Sequence, residues 1–138
     1  MINIIDLLER HEGFRQYPYR DTVGKLSIGI GRNLDDRGIT KAEALYMLNN
    51  DIKDFEQQLK DRLYWFENIH EDAQAVLLMM CFNMGLNGLL TFHTTLEHIK
   101  NENYKAASVS MLDSQWAKQV GTRSLELSDI LKNIVWNG

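Results

Sequence analysis

Glu12, Asp21 and Ser27 place two carboxylates and a hydroxyl in one turn-rich stretch, EGFRQYPYRDTVGKLSIGIG. Such a set suits acid–base hydrolysis of a glycosidic bond, in which one carboxyl protonates the leaving oxygen while a second works at the opposite side of the sugar. Glu12 is predicted at the last turn of a helix, on or next to its buried stripe. There the negative end of the helix dipole and partial burial would both favour the protonated carboxyl, the direction a general acid needs near neutral pH. Each residue also has a plainer reading alone: Glu12 as a surface glutamate before a C-cap glycine, Asp21 as a turn former, Ser27 as a strand hydroxyl.

The elements that must hold these groups follow from local pattern. Ile5, Leu8 and Glu12 repeat at helical spacing over residues 4–12, with Asn3 as N-cap and Gly13 as the stop. Residues 14–34 alternate aromatic or β-branched residues with polar ones. They predict two or three short antiparallel strands, Pro18 confining the first to an edge and Asp21-Thr22-Val23-Gly24 forming the hairpin turn. Thr40-Lys41-Ala42-Glu43 is a capping box. Leu45, Leu48, Ile52, Phe55 and Leu59 then continue the stripe of one long helix, about 30 Å for twenty residues. Residues 72–84 are apolar almost all round and predict a central buried helix. Three or four shorter helices follow, punctuated by Gly85, Gly88, Ser114 and Gly121. The expected class is α+β, mostly α. A small N-terminal lobe (about 12–40) with a short antiparallel sheet is joined by a connecting helix (41–61) to a helical lobe (62–138), on which helix 1–12 packs.

Composition narrows the function classes. At 138 residues, 44% hydrophobic and 25% charged, the chain reads as one globular domain. Its net charge of −4 argues against nucleic acid as the main partner, because phosphate binding calls for a basic surplus. Residues 1–41 carry a balance of +1 and the rest −5, so the short C-terminal helices are too acidic for a DNA-binding helix-turn-helix. The N-terminal apolar stretch is interrupted by Asp6, Glu9 and Arg10, unlike a secretory signal, and predicts a cytoplasmic protein without stable membrane association. Cys81 is the single cysteine and sits in the apolar run AVLLMMCFNM, which predicts a buried thiol and not a nucleophile. His11, His70, His93 and His98 lack carboxylate or cysteine companions at ligand spacing, so neither a metal nor another cofactor is expected.

Taken together, the order of motifs resembles the T-even phage lysozymes, glycoside hydrolase family 24. These motifs are Glu-Gly, eight residues between Glu12 and Asp21, Asp-Thr-x-Gly, five residues between Asp21 and Ser27, and Ile-Gly-Ile-Gly. Gly38-Ile39-Thr40-Lys41-x-Glu43-Ala44 is similar to the family's entry into its interdomain helix. Phe82-Asn83-Met84-Gly85 is similar to the end of its central helix, and Ser114-Gln115-Trp116 with Gln119 and Arg123 to the segment facing the cleft. The resemblance covers nearly the whole chain and implies a lysozyme-like two-lobed fold. It also implies an N-acetylmuramidase that cuts the β-1,4 bond between N-acetylmuramic acid and N-acetylglucosamine.

By that resemblance Glu12 is the general acid, Asp21 the carboxylate that stabilises charge and orients water, and Ser27 the water-holding hydroxyl where the family usually has threonine. Inversion of configuration implies carboxyl groups roughly 6.5–9.5 Å apart. Asn83 and Gln119 are implied to bind sugar N-acetyl and hydroxyl groups, with a helix-terminal capping amide equally open for Asn83. Leu34, Phe92 and Trp116 could meet sugar faces or belong to the core. Arg123 is implied to pair with Glu12, and without the resemblance it reads as a helix-surface arginine. Arg32 stands where the family has a histidine paired with an aspartate matching Asp51, so an Arg32–Asp51 ion pair is expected. His11 departs from the family's frequent acidic residue, and the acidic net charge predicts weaker steering onto anionic peptidoglycan. The implied partner is a peptidoglycan glycan strand, with a holin for release if phage-encoded, and the implied state is a monomer held in the host cytoplasm until lysis. Two alternatives are a non-catalytic wall-binding module of the same fold and a lytic transglycosylase.

Overall fold

A computed structural model describes residues 1–134. The chain forms helix α1 (Ile4–Glu12) and strands β1 (Arg15–Arg20), β2 (Leu26–Gly29) and β3 (Arg32–Asn33). Helices α2 (Leu34–Arg37), α3 (Lys41–Arg62), α4 (Glu71–Leu89), α5 (His93–Lys100), α6 (Tyr104–Leu112), α7 (Gln115–Val120) and α8 (Thr122–Lys132) follow. This is the expected α+β, mostly helical class. The chain divides into two compact units, Met1–Leu48 and a second beginning at Asn49.

In the first unit the local signals fold as their chemistry dictates. The Asn3 side chain accepts from the Asp6 amide at 3.2 Å, capping α1. Gly13, at φ 71°, ends the helix in a conformation that side-chain-bearing residues avoid. The sheet is antiparallel in the order β1-β2-β3, which leaves β1 at an edge. Between the pairs Arg15–Gly29 and Tyr19–Ser27, β1 advances four residues while β2 advances two. Pro18, lacking an N–H, falls in this bulged segment, where no regular ladder bond is lost. The hairpin closes at Asp21–Gly24, with the Gly24 amide bonding the Asp21 carbonyl at 3.0 Å. The short helix α2 was not expected. Asn33 caps it by accepting from the Asp36 amide at 3.0 Å.

Burial corrects the expectation for α1. None of its residues is buried: Ile5 is 69% exposed, Leu8 48%, and Glu12 is itself exposed. Helical spacing identified an apolar face, but nothing in that spacing specifies what covers it. The stripe of α3 is graded in the same way, from exposed Leu45 and Leu48, through half-buried Ile52 and Phe55, to fully buried Leu59.

The second unit has a continuous apolar core, with Leu59, Phe66, Leu77, Met80, Ile99, Met111, Leu127 and Leu131 essentially inaccessible to solvent. Helix α6 packs on α5 and α8, and α4 and α7 also pack on α8. Helix α4 contributes Ala73, Val76, Leu77, Met80 and Cys81 to the core, but Met79 and Phe82 remain about half exposed. It is therefore buried on one side only, not all round. Gly85 breaks it at φ 77° and ψ 164°, close to the end expected at residue 84. Burial pushes the Cys81 thiol up to about 11, which keeps it protonated and unreactive as expected of a core cysteine. Hydroxyls in the core find partners there, as where Ser128 on α8 donates to the Ser108 carbonyl on α6 at 3.0 Å. Among the described residues no buried side-chain nitrogen or oxygen lacks a partner.

Candidate active site

The three residues with chemistry in their spacing all lie in the first unit, each held by a different device. Glu12 is the last residue of α1, and the chain turns at Gly13 into β1. Its side chain lies against the β2–β3 turn. A Cβ at Gly31 would stand 2.9 Å from Glu12 Oε2 and 3.1 Å from its Cδ and Cγ. Gly31 also has φ 71°. Glycine suits the turn by its backbone conformation, and a Cβ there would oblige the flexible Glu12 side chain to shift.

Asp21 is pinned by its own hairpin. Its Oδ1 accepts from the Val23 amide at 3.0 Å and from the Lys25 amide at 2.9 Å. Both bonds fix the carboxylate plane with one oxygen, leaving Oδ2 for chemistry. The hairpin is clamped in turn by the two aspartates of α2. Asp35 Oδ2 accepts from the Leu26 amide at 2.8 Å and lies 3.5 Å from the Arg20 guanidinium. Arg20 also donates to the Gly24 carbonyl at 3.2 Å. Asp36 receives the Lys25 ammonium at 3.0 Å, and this hydrogen bond raises the Lys25 pKa. Ser27 is buried in the central strand, directly opposite Tyr19 on β1 and Asn33 on β3. Directly opposed residues share a sheet face, so these three form a row across it.

Arg32 corrects the expected ion pair. Its guanidinium forks onto Glu43, Nη1 to Oε1 at 2.8 Å and Nη2 to Oε2 at 2.6 Å, and Nη1 also donates to the Gly38 carbonyl at 3.1 Å. The partner is Glu43, not Asp51. Asp51 lies two turns farther along α3, about 12 Å, and is exposed. Glu43 meanwhile completes the capping box, accepting from the Thr40 amide at 2.9 Å while its own amide donates to Thr40 Oγ1 at 3.1 Å. The hydrogen bonds from Arg32, then those from Thr40, lower the Glu43 carboxyl to about 2.

In the second unit, Phe92, Trp116 and Gln119 line one groove of about 740 Å³, together with His93, Thr95 and Asp113. The Phe92 and Trp116 rings meet edge to face at 5.9 Å. Trp116 Nε1 donates to Asn83 Oδ1 at 2.6 Å. Indole can only donate, so the Asn83 amide must present its oxygen to the tryptophan and turn its NH₂ elsewhere. Trp116 is therefore both core and groove wall, and Asn83 orients it instead of capping a helix. Leu34 opens α2 in the first unit and is half-buried. Arg123 is exposed in the first turn of α8, outside the groove lining. Sequence reasoning missed Gly31 as the residue Glu12 lies against, Asp35 and Asp36 as clamps of the Asp21 hairpin, and Glu43 as the partner of Arg32. Asn33-Leu34-Asp35-Asp36 does carry the signature of a helix start, but not the identity of the amides and cations it would reach across the turn.

The order of these residues matches a known family across most of the chain: residues 9–130 fit the phage lysozyme family. The chain belongs to that family. Membership makes it a lysozyme-type peptidoglycan hydrolase, a glycosidase. The chain is similar to Probable T4-type lysozyme 1 of Dictyostelium discoideum, 24% identical over 159 residues that cover 94% of each protein. Probable T4-type lysozyme 2 of the same organism is 25% identical over 149 residues, covering 86% of this chain and 87% of that protein. The Pre-baseplate central spike protein Gp5 of Enterobacteria phage T4 is 24% identical over 159 residues, covering 94% of this chain but 28% of the spike protein. Within a family so divergent, the pairing of Arg32 with Glu43 is a property to be read from this chain itself.

Proposed function

We propose that this family member cleaves the β-1,4 bond between N-acetylmuramic acid and N-acetylglucosamine by acid catalysis with inversion. Glu12 protonates the leaving oxygen. Asp21, through its Oδ2, stabilises positive charge on the sugar and orients the attacking water, and Ser27 holds that water. Phe92, Trp116 and Gln119 grip the glycan strand, assisted by Asn83 and Leu34. The observation that carries this reading is the Glu12–Gly31 contact. That contact sets the Glu12 carboxylate beside the β2–β3 turn, in the same compact unit as Asp21 and Ser27.

The biological role that follows is host lysis by a monomeric phage or prophage endolysin. It waits in the host cytoplasm and reaches the wall through a holin-type lesion. The likeness to a baseplate spike protein favours a second role, wall penetration at infection. Clearing of outer-membrane-permeabilised cell walls tests the chemistry. Glu12→Gln should lower the rate by about 10²–10⁴-fold at unchanged melting temperature, and equal clearing by both proteins would remove Glu12 as the acid. Reducing-end analysis of the products separates hydrolysis from transglycosylation, which would leave an anhydro sugar.

A further inference from the structure

We infer that Glu43 is a positioning residue for Glu12, holding through Arg32 the turn against which the Glu12 carboxylate rests. The inference depends on the acid role of Glu12 proposed above. The Glu12 side chain touches the β2–β3 turn at Gly31, and the next residue, Arg32, begins β3. Strand β3 is two residues long and pairs with β2 only at Ser27–Asn33 and Ile28–Arg32. Gly29 and Gly31, at φ 69° and 71°, give the turn backbone freedom that a substituted residue would lack. A short ladder and two glycines fix the turn weakly, so its position must be set from outside.

The Arg32 guanidinium supplies that restraint, with three hydrogen bonds that tie the turn to the start of α3: two to the Glu43 carboxylate and one to the Gly38 carbonyl. The planar guanidinium fork sets direction as well as distance, which a single-point contact does not. The Glu43 carboxylate also accepts from the backbone amide at position 40, a donor that does not depend on the side chain there. The chain of contacts Glu43–Arg32–Gly31–Glu12 lies wholly within the first unit. Both charged members remain ionised across the range in which a wall hydrolase works, since Glu43 is held to about 2 and arginine does not titrate. A histidine at the Arg32 position would lose its charge within that range.

The capping box allows the helix-start and positioning roles of Glu43 to be separated. Glutamine serves as well as glutamate at this capping position, so Glu43→Gln keeps the cap while removing the charged, two-oxygen fork. Thr40→Ala does the reverse, losing the capping hydroxyl while the Thr40 backbone amide can still donate to Glu43. On permeabilised cell walls, Glu43→Gln should lower kcat by about ten- to a hundredfold with KM within about twofold. Thr40→Ala should lower the melting temperature and keep kcat. Arg32→Lys, which keeps the charge, should retain more activity than Arg32→Gln. Wild-type kcat in Glu43→Gln, or losses in all variants that merely track their melting temperatures, would overturn the inference while leaving the acid role of Glu12 intact. Full clearing by Glu12→Gln would overturn both.

Discussion

Among the described residues, Met1–Leu48 contains one buried side chain, Ser27, whereas from Leu59 onward apolar residues form a continuous core. The first unit is held by polar clamps instead. Asp35 fastens the Leu26 amide, Asp36 the Lys25 ammonium, Glu43 the Arg32 fork, and Asp21 its own turn. In the second unit, part-exposed pairs such as Lys60–Glu56 lie outside a packed interior. The contrast teaches how one small chain divides its work. Dispersion and hydrophobic burial are non-directional and suit a scaffold. Charge-assisted hydrogen bonds are weaker in net stability but directional, and suit groups that must face a reacting bond. Substitutions should therefore sort by unit: stability losses in the second, rate losses out of proportion to stability in the first.

The strongest test is Phe66→Ala, because Phe66 is fully buried. Loss of that ring should cost about 3–5 kcal/mol, seen as a large drop in the denaturant midpoint. Specific activity below the transition should remain near wild type. A comparable loss of specific activity in the still-folded protein would break the proposed division. Next is Gly31→Ala in the first unit. Adopting φ 71° with a Cβ costs about 1–2 kcal/mol, and the added carbon would press on Glu12 at 2.9 Å. The expected result is a modest fall in melting temperature and a rate loss of about a hundredfold. Wild-type kcat in this variant would show that the Glu12 contact is dispensable.

The features legible in the sequence were those with a local cause. Asn3 as N-cap, Gly13 as helix stop, the Asp21–Gly24 turn and the Thr40–Glu43 capping box each involve residues a few positions apart, so side-chain chemistry alone specifies them. The spacing of Glu12, Asp21 and Ser27 was readable for the same reason, as was the buried Cys81 inside an apolar run. What escaped was pairing across distance. Arg32 had more than one carboxylate available on α3, and helix geometry with the capping box determined that Glu43 met it. The burial of α1 was misread because periodicity reveals an apolar face, not its cover. Asp35 and Asp36 were visible as acidic residues, but their amide and lysine partners depend on how α2 sits against β2.

Within the second unit, Trp116→Phe sharpens the comparison at a smaller scale. It preserves most of the apolar packing and the edge contact with Phe92, and removes the donor that reaches Asn83. About 1 kcal/mol of stability should be lost. The larger consequence is expected in substrate binding, as a severalfold rise in KM at nearly constant kcat. A kcat loss at unchanged KM would instead give this groove a share in the chemical step, and the assignment of grip and chemistry to different units would fail.

Acidification gives the smallest effect and separates the two kinds of construction without a cavity or a clash. Glu43 has a folded-state value of about 2 against 4.5 for the free side chain. Its folded pKa is depressed, so its contribution to stability is fully present above about pH 4.5 and disappears as pH falls through about 2. The Glu43→Gln variant lacks this titration. Its stability deficit relative to wild type should therefore narrow between pH 5 and pH 2, in chemical denaturation followed at constant ionic strength. The pair is partly exposed, with Arg32 and Glu43 side chains 27% and 40% accessible, so the effect is small and shrinks further in salt. The deficit of Phe66→Ala comes from apolar contacts with no proton to bind and should stay level over the same range. Parallel curves for the two variants would mean that the Arg32 fork contributes no electrostatic stability, leaving the first unit's order to its other clamps and its backbone turns.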